Sequence, residues 1–237
     1  MVRNLKDIAQ PITPPRSGAR PGEYECDIEH GGILYSLRWT GNLDYPSLIN
    51  FPYLPTCEVS RVEESPSIAL LRRKSTLEDF GSHACVRRVH SQPYPIVKLA
   101  HPDTQSTDLI QYEYTILKLL APLNLPIPAF SDTPIFDHGN ICGYQMEELF
   151  KLSRDEILSR SRDISQAVES FHRAGYSHGD LSQSNIMKTV QGNIVLIDFS
   201  CSGLVGTKVP ACIPGWAYGG QTFDTSGDKK RLNELLH

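Results

Sequence analysis

Two short polar runs, with Asn185 ending one and Asp198 opening the other thirteen residues later, constrain this chain more than anything else in it. The first is Tyr176-Ser177-His178-Gly179-Asp180-Leu181-Ser182-Gln183-Ser184-Asn185, and the second is Asp198-Phe199-Ser200. Between them stand Ile186 and Met187, then Gln191-Gly192-Asn193, then Ile194-Val195-Leu196-Ile197, a pattern that predicts a hairpin with a glycine-containing turn. Such a hairpin returns Asp198 to the side of Asn185. Upstream, Ile164, Ala167, Val168 and Phe171 recur at helical spacing, so a helix is expected through Ser165 to Ala174, with Gly175 where a helix C-terminus favours a left-handed residue. The order is helix, loop carrying Asp180, hairpin, Asp198.

That order suits phosphoryl transfer. Asp180 is placed to orient and deprotonate an attacking hydroxyl, and Asn185 with Asp198 to hold Mg²⁺ against nucleotide phosphates. The two runs resemble the catalytic core of the protein-kinase-like superfamily, whose loop reads His-Arg-Asp-x-x-x-x-Asn and whose metal triplet reads Asp-Phe-Gly. Gly179 in the second position is similar to the His-Gly-Asp of aminoglycoside phosphotransferases and small atypical kinases, and Ser200 closes the triplet. The resemblance implies an α+β fold of two lobes, with an antiparallel small-lobe sheet plus helix and a mainly helical, shortened large lobe. It implies ATP and Mg²⁺ as cofactors.

The resemblance also implies partners upstream. Pro95-Ile96-Val97-Lys98-Leu99 offers the strand lysine that pairs nucleotide phosphates, and Glu113 offers the carboxylate that fixes it. Glu113 lies in a stretch, Leu109 to Leu120, whose Leu109, Tyr112, Ile116 and Leu120 share one helical face, with Pro122 beyond its end. Each residue alone has a plainer reading: a lysine after a β-like run is a solvated edge residue, and a glutamate on an amphipathic helix is its wet face. Ile141 to Leu149 resembles the strand that runs into the kinase hinge. On that alignment Met146 guards the back pocket, while the Glu147 carbonyl and the Leu149 N–H meet adenine. Val86 and Met187 complete the implied nucleotide contacts.

The glycine-rich lid departs furthest from the family. In the family pattern Gly-x-Gly-x-x-Gly-x-Val, glycines let backbone N–H groups approach phosphate oxygens. Asp79-Phe80-Gly81-Ser82-His83-Ala84-Cys85-Val86 keeps only Gly81, and Asp79 brings a negative charge toward the phosphates. Ser182 stands where protein serine/threonine kinases place a lysine, and Gly179 offers no grip on a phosphorylated activation segment. Pro210 to Gly220 resembles the end of such a segment, with Trp216 and Tyr218 expected as packing residues. The run from Asp228 to Leu236 resembles the start of the buried large-lobe helix, whose leading aspartate caps the catalytic loop.

The expected organisation is a flexible tail over 1–22, an N-terminal hairpin and loop over 23–66, a small lobe over 67–147, and a shortened large lobe over 148–237. Pro11, Pro14, Pro15 and Pro21 with Gly18 and Gly22 suggest the tail. Tyr24, Cys26 and Ile28 alternate before Gly31-Gly32, and Ile33, Tyr35, Leu37 and Trp39 alternate after it, which predicts the hairpin. Ser153-Arg154-Asp155-Glu156 is a capping-box pattern for the first helix of the large lobe. Leu232, Leu235 and Leu236 are expected to leave an apolar stub uncovered, so a protein partner is expected there or at the N-terminal hairpin. The large lobe is expected to be naturally minimal or truncated.

Composition excludes other classes. A formal net charge of -4 over 237 residues, with no basic stripe, argues against nucleic acid. Arg72-Arg73-Lys74 and Arg87-Arg88 are expected to be solvated strand edges. No apolar run reaches membrane-spanning length. The six cysteines form no Cys-x-x-Cys pair and read as reduced thiols of an intracellular, cytoplasmic or nuclear protein. Three functions remain open: a serine/threonine protein-kinase-like enzyme, a small-molecule kinase acting on a hydroxyl, and a pseudokinase scaffold.

Overall fold

The computed structural model describes residues 8–90 and 92–236. The expected hairpin is the centre of an N-terminal antiparallel sheet, in which Glu23–His30 and Ile33–Thr40 pair in register from Glu23↔Thr40 to His30↔Ile33. Gly31 and Gly32, at φ 61 and 71, supply the two left-handed positions such a tight connection needs. Cys57–Arg61 extends this sheet on one side and the short strand Gln10–Pro11 on the other, and Arg16–Ser17 also pairs with Glu23–His30. Cys26, Ile28, Leu37, Trp39 and Phe51 form its core.

The flexible tail expected over 1–22 is corrected over the described part, while residues 1–7 lie outside the described residues. Ile12 and Thr13 are buried, the Asp27 N–H donates to Thr13 Oγ1 at 2.7 Å, and Arg16 pairs with Glu25 at 2.9 Å and Asp27 at 3.3 Å. The prolines mislead because this is a sheet edge, where the missing N–H of Pro11 costs no ladder bond.

A helix, Pro66–Lys74, precedes the second sheet. Ser65 caps it, and Pro66 sits in the first turn, where its missing N–H is harmless. The second sheet is five-stranded and antiparallel, in the order Thr76–Phe80, Ala84–Arg88, Ile96–Ala100, Asn140–Met146, Ile135–Asp137. Its period-two alternation gives it two apolar faces. Cys85, Val97, Leu99 and Cys142 pack with Ile68 of the preceding helix. Ala84, Ile96, Tyr144 and Met146 pack toward the helix Thr104–Leu120. The register Val86↔Lys98↔Tyr144 places Lys98 in a row on this second face.

The basic clusters are a second correction. Arg72 and Arg87 are 2% and 0% exposed, not solvated edges. Glu29 of the N-terminal sheet accepts from Arg87 at 2.6 Å and from Arg72 at 3.1 Å, and Glu64 accepts from Arg72 at 2.6 Å. Glu29, remote in sequence from both, and Glu64 on Arg72 make burial of the two guanidiniums tolerable. Arg88 keeps the expected exposure, pairing with Glu78 and Glu148.

The helix Thr104–Leu120 begins five residues before the apolar stripe because Asp103 caps it, accepting from the Ser106 N–H at 2.8 Å. Past the strand Asn140–Met146 come the helices Arg154–Ser159, Ser161–Arg173 and Ser226–Leu236 and a small sheet of Phe150–Lys151, Ile186–Lys188 and Ile194–Leu196, against which Ser161–Arg173 packs. The capping box at Ser153 and Glu156 is formed. One apolar cluster runs through both halves, joining Ile110, Tyr114 and Leu117 to Ile157, Phe171, Leu196 and Phe199. Leu232, Leu235 and Leu236 pack against it half-buried, which corrects the expected uncovered stub. The fold is mixed α/β with antiparallel sheets. Among the described residues, no helix is long and apolar enough to cross a membrane.

Candidate functional site

The helix Ser161–Arg173 buries Ile164, Ala167, Val168 and Phe171, and Gly175 at φ 87 turns the chain out of it. The pair Tyr176–Ser177 then carries it to His178, which is fully buried. His178 Nε2 lies 2.9 Å from the Ile197 carbonyl, and the Asp180 N–H donates to Nδ1 at 3.3 Å. Those partners require the tautomer protonated on Nε2. Gly179 is at φ 79, and a Cβ there would stand 2.4 Å from both the Cys201 carbonyl and the Tyr218 hydroxyl, so only glycine fits.

Asp228 caps this loop. It accepts from the His178 N–H at 2.7 Å and the Gly179 N–H at 2.9 Å, with His172 Nε2 at 3.0 Å. Burial pushes its carboxyl upward, but His172 and the two backbone donors outweigh that and hold it below the usual carboxylate range.

Asn185 Nδ2 donates to the Asp180 carbonyl at 2.8 Å and to Asp180 Oδ2 at 3.2 Å, leaving Asn185 Oδ1 as the atom available to a cation. The Asp180 carboxyl lies above the usual value, first through burial and then through the charge of Asp198. The hairpin forms as expected, with Ile186↔Leu196 in register, and the Ile197 N–H donates to the Asn185 carbonyl at 3.0 Å. Asp198 follows at φ 64, a left-handed conformation uncommon outside glycine and characteristic of functional sites.

Lys98 ties the two halves together. Its Nζ lies 2.8 Å from Glu113 Oε2 and 3.1 Å from Asp198 Oδ1. Burial alone would lower the ammonium pKa, but Asp198 and Glu113 outweigh it and raise it above the ordinary lysine value. Burial also pushes the Asp198 carboxyl up, and Lys98 with the Ser200 hydroxyl, 2.9 Å away, brings it below the ordinary value. Glu113 is wholly buried rather than on a wet face, and its Oε1 also accepts from the Tyr144 hydroxyl at 3.1 Å and the Phe199 N–H at 3.0 Å. Tyr144 escaped the sequence reading. Its place in the register beside Lys98 is the signal that finds it.

These groups line a cleft of about 580 Å³. Lys98, Glu113, Asp180, Asn185 and Asp198 meet there, and Gly81, Val86, Met146, Glu147, Leu149 and Met187 border the same space. The hinge stretch is held by the Glu147 N–H, which donates to the Ala129 carbonyl at 2.9 Å, and by Glu147 Oε1, which accepts from the Ala129 N–H at 2.7 Å.

The lid is a hairpin closed by the Gly81 N–H donating to the Ala84 carbonyl at 2.9 Å. A Cβ at Gly81 would meet nothing nearer than that carbonyl at 4.0 Å, so no protein neighbour demands glycine there. His101 props the turn: its ring Nε2 is 2.9 Å from the Gly81 carbonyl, and its N–H donates to the His83 carbonyl at 3.0 Å. Asp79 borders the cleft, but Lys151 draws its carboxylate to a 2.7 Å ion pair that holds it below the ordinary value. Tyr218 packs as expected, bonding Ser177 Oγ and the Cys201 carbonyl at 2.7 Å each. Trp216 does not: it is 58% exposed and borders the cleft.

A kinase-like relationship is supported by similarity to curated proteins. The hormonally up-regulated neu tumor-associated kinase of Homo sapiens is 30% identical over 118 residues, 47% of this chain and 14% of that protein. Its homolog A of Xenopus laevis is 30% identical over 153 residues, 62% of this chain and 19% of that protein. Serine/threonine-protein kinase 16 of Mus musculus is 32% identical over 71 residues, 28% of this chain and 23% of that protein. The matches thus span 14% to 23% of the length of these relatives. No family model matches the chain.

Proposed function

We propose that this chain is a Mg²⁺-ATP-dependent phosphotransferase of two-lobed kinase architecture, acting on a hydroxyl in the manner of a serine/threonine protein kinase. Residues 67–147 serve as the small lobe, 148–237 as the large lobe, and 23–66 as an N-terminal extension. The observation that carries the reading is the Lys98 ammonium held at once by Glu113 and Asp198, residues brought from three separate elements to the cleft.

The residues suit the implied nucleotide and metal. One carboxylate and one amide oxygen form a hard donor set of the kind Mg²⁺ takes together with phosphate oxygens. A volume of about 580 Å³ lies in the range of nucleotide-sized sites. Bound Mg²⁺ would neutralise charge on the phosphates. Lys98 would position the phosphates, Glu113 would hold Lys98, and Asp180 would accept the proton of the acceptor hydroxyl. Asn185 and Asp198 would hold the metal, and the backbone of Glu147 and Leu149 would meet adenine. Catalysis is then positioning and charge compensation.

Asp198→Ala is the test. Mg²⁺-dependent ADP formation from ATP should fall at least about 10³-fold while far-UV circular dichroism stays the same; unchanged turnover removes Asp198 from the mechanism. The lid with its single glycine favours a second reading, a pseudokinase module. A melting-temperature titration with ATP separates the two, since a ligand of the native state must raise it. The His-Gly-Asp loop keeps a small-molecule hydroxyl acceptor as an alternative to a protein.

A further inference from the structure

Arg231 brings a positive charge to the catalytic loop from an element remote in sequence. It lies on the helix Ser226–Leu236, with Nη1 3.6 Å from Asp180 Oδ1 and its guanidinium 6.0 Å from the centre of the Trp216 ring. The Arg231 side chain is 42% exposed and Trp216 is 58% exposed, so neither is there to fill a core. The helix itself is fixed to the loop one turn earlier, where Asp228 accepts from the His178 and Gly179 N–H groups. Residues three apart share a helix face, so the bonds that seat Asp228 also set Arg231 against Asp180. Asn185 occupies the other carboxylate oxygen, Oδ2. The loop's own Ser182 offers only a hydroxyl, which bonds Ser184 Oγ at 2.8 Å.

Under the kinase reading, on which this inference rests, the acceptor oxygen bonds to the γ-phosphorus as the bond to the β–γ bridging oxygen breaks. The acceptor proton passes to Asp180, and the bridging electron pair leaves with ADP. Before that proton moves, negative charge on the transferring group faces the Asp180 carboxylate, and a cation held against Asp180 relieves that repulsion. We propose that Arg231, steadied by Trp216, is the positioning residue that supplies this cation from the C-terminal helix and so replaces the lysine absent at Ser182.

The test measures ADP formation from Mg²⁺-ATP with dephosphorylated casein as the hydroxyl acceptor. Arg231→Gln should lower kcat on the order of 10- to 100-fold, toward the low end for one transition-state donor because the guanidinium is partly solvated. KM for ATP and the melting temperature should not move. Arg231→Lys should retain part of the rate, and adding Ser182→Lys to Arg231→Gln should restore most of it. An unchanged or raised kcat in Arg231→Gln overturns the inference, the raised value marking the ion pair as a brake. A loss that Ser182→Lys fails to restore overturns it too. In both cases the kinase reading stands, because it is judged separately by Asp198→Ala against the unaltered chain. If the unaltered chain shows no Mg²⁺-dependent turnover with casein or with a small-molecule hydroxyl acceptor, both fall.

Discussion

The two walls of the cleft are held in opposite ways. On the side of the loop, His178, Gly179, Asp180 and Asn185 sit in a net of hydrogen bonds that Asp228 and Ser202 complete from other parts of the chain, while Tyr218 bonds Ser177 and the Cys201 carbonyl beside it. On the lid side, the turn Gly81 to His83 is held by two bonds from His101 and by the solvent-facing pair of Asp79 and Lys151. Its strand Ala84–Arg88 is anchored from behind, through Arg87 to Glu29. A wall that must present side chains at fixed atoms needs each of them bonded. A wall that offers mainly backbone can be secured at a distance, and its sequence is freer.

Breaking the rear anchor should cost most. Glu29→Ala leaves Arg87 buried without its carboxylate, and urea denaturation should report a loss of about 3–5 kcal/mol. A Glu29→Met and Arg87→Met double variant, which removes both charges, should recover most of that loss if the penalty is the orphaned charge. Asp228→Ala strands two buried N–H donors on the opposite wall and should cost about 2–4 kcal/mol in the same assay, with turnover falling as the loop loosens. A smaller loss there than at Glu29 on stability, but a larger one on rate, is the pattern the contrast requires.

Acidification separates two carboxylates of the loop wall by sign. The folded pKa of Asp228 lies below its unfolded value, so its contribution is complete above the ordinary aspartate pKa and is lost as pH falls through the folded value. Stability measured against pH should decline there, and Asp228→Asn should flatten the decline. Asp180 is shifted the other way, and as the proposed base it must be ionised to act, so the acidic limb of kcat/KM should lie above the ordinary aspartate value. A limb at or below that value would remove Asp180 as the base. The smallest effect is expected at the lid rim: Lys151→Ala opens an exposed pair and should change stability by no more than about 1 kcal/mol. A larger change would mean that the rim, and not the rear, carries the lid.

What was legible in the chain was what short-range pattern encodes. Two apolar runs about a glycine turn predict the hairpin Ile186 to Leu196, and apolar spacing with Gly175 predicts the helix before the loop. The residues assigned to the cleft from spacing and resemblance do border one space. What stayed hidden depends on pairs formed across the chain. Arg72 and Arg87 look solvated until Glu29, 43 and 58 residues away, is placed beside them. The strands Gln10–Pro11 and Arg16–Ser17 are invisible because proline content argues against them, and only the neighbouring strand Glu23–His30 makes them possible. Tyr144 on Glu113 and Arg231 on Asp180 likewise depend on register and helix docking that local sequence does not carry.

Because Glu29 neutralises two guanidiniums at the back of the sheet that borders the cleft, the amino-terminal sheet cannot be trimmed as an appendage. A polypeptide begun at Ser67 would inherit two stranded cations and a bared apolar flank, and a cleft wall with no backing. Whatever pulls on or docks to the first sixty residues therefore has a direct mechanical grip on the roof of the cleft.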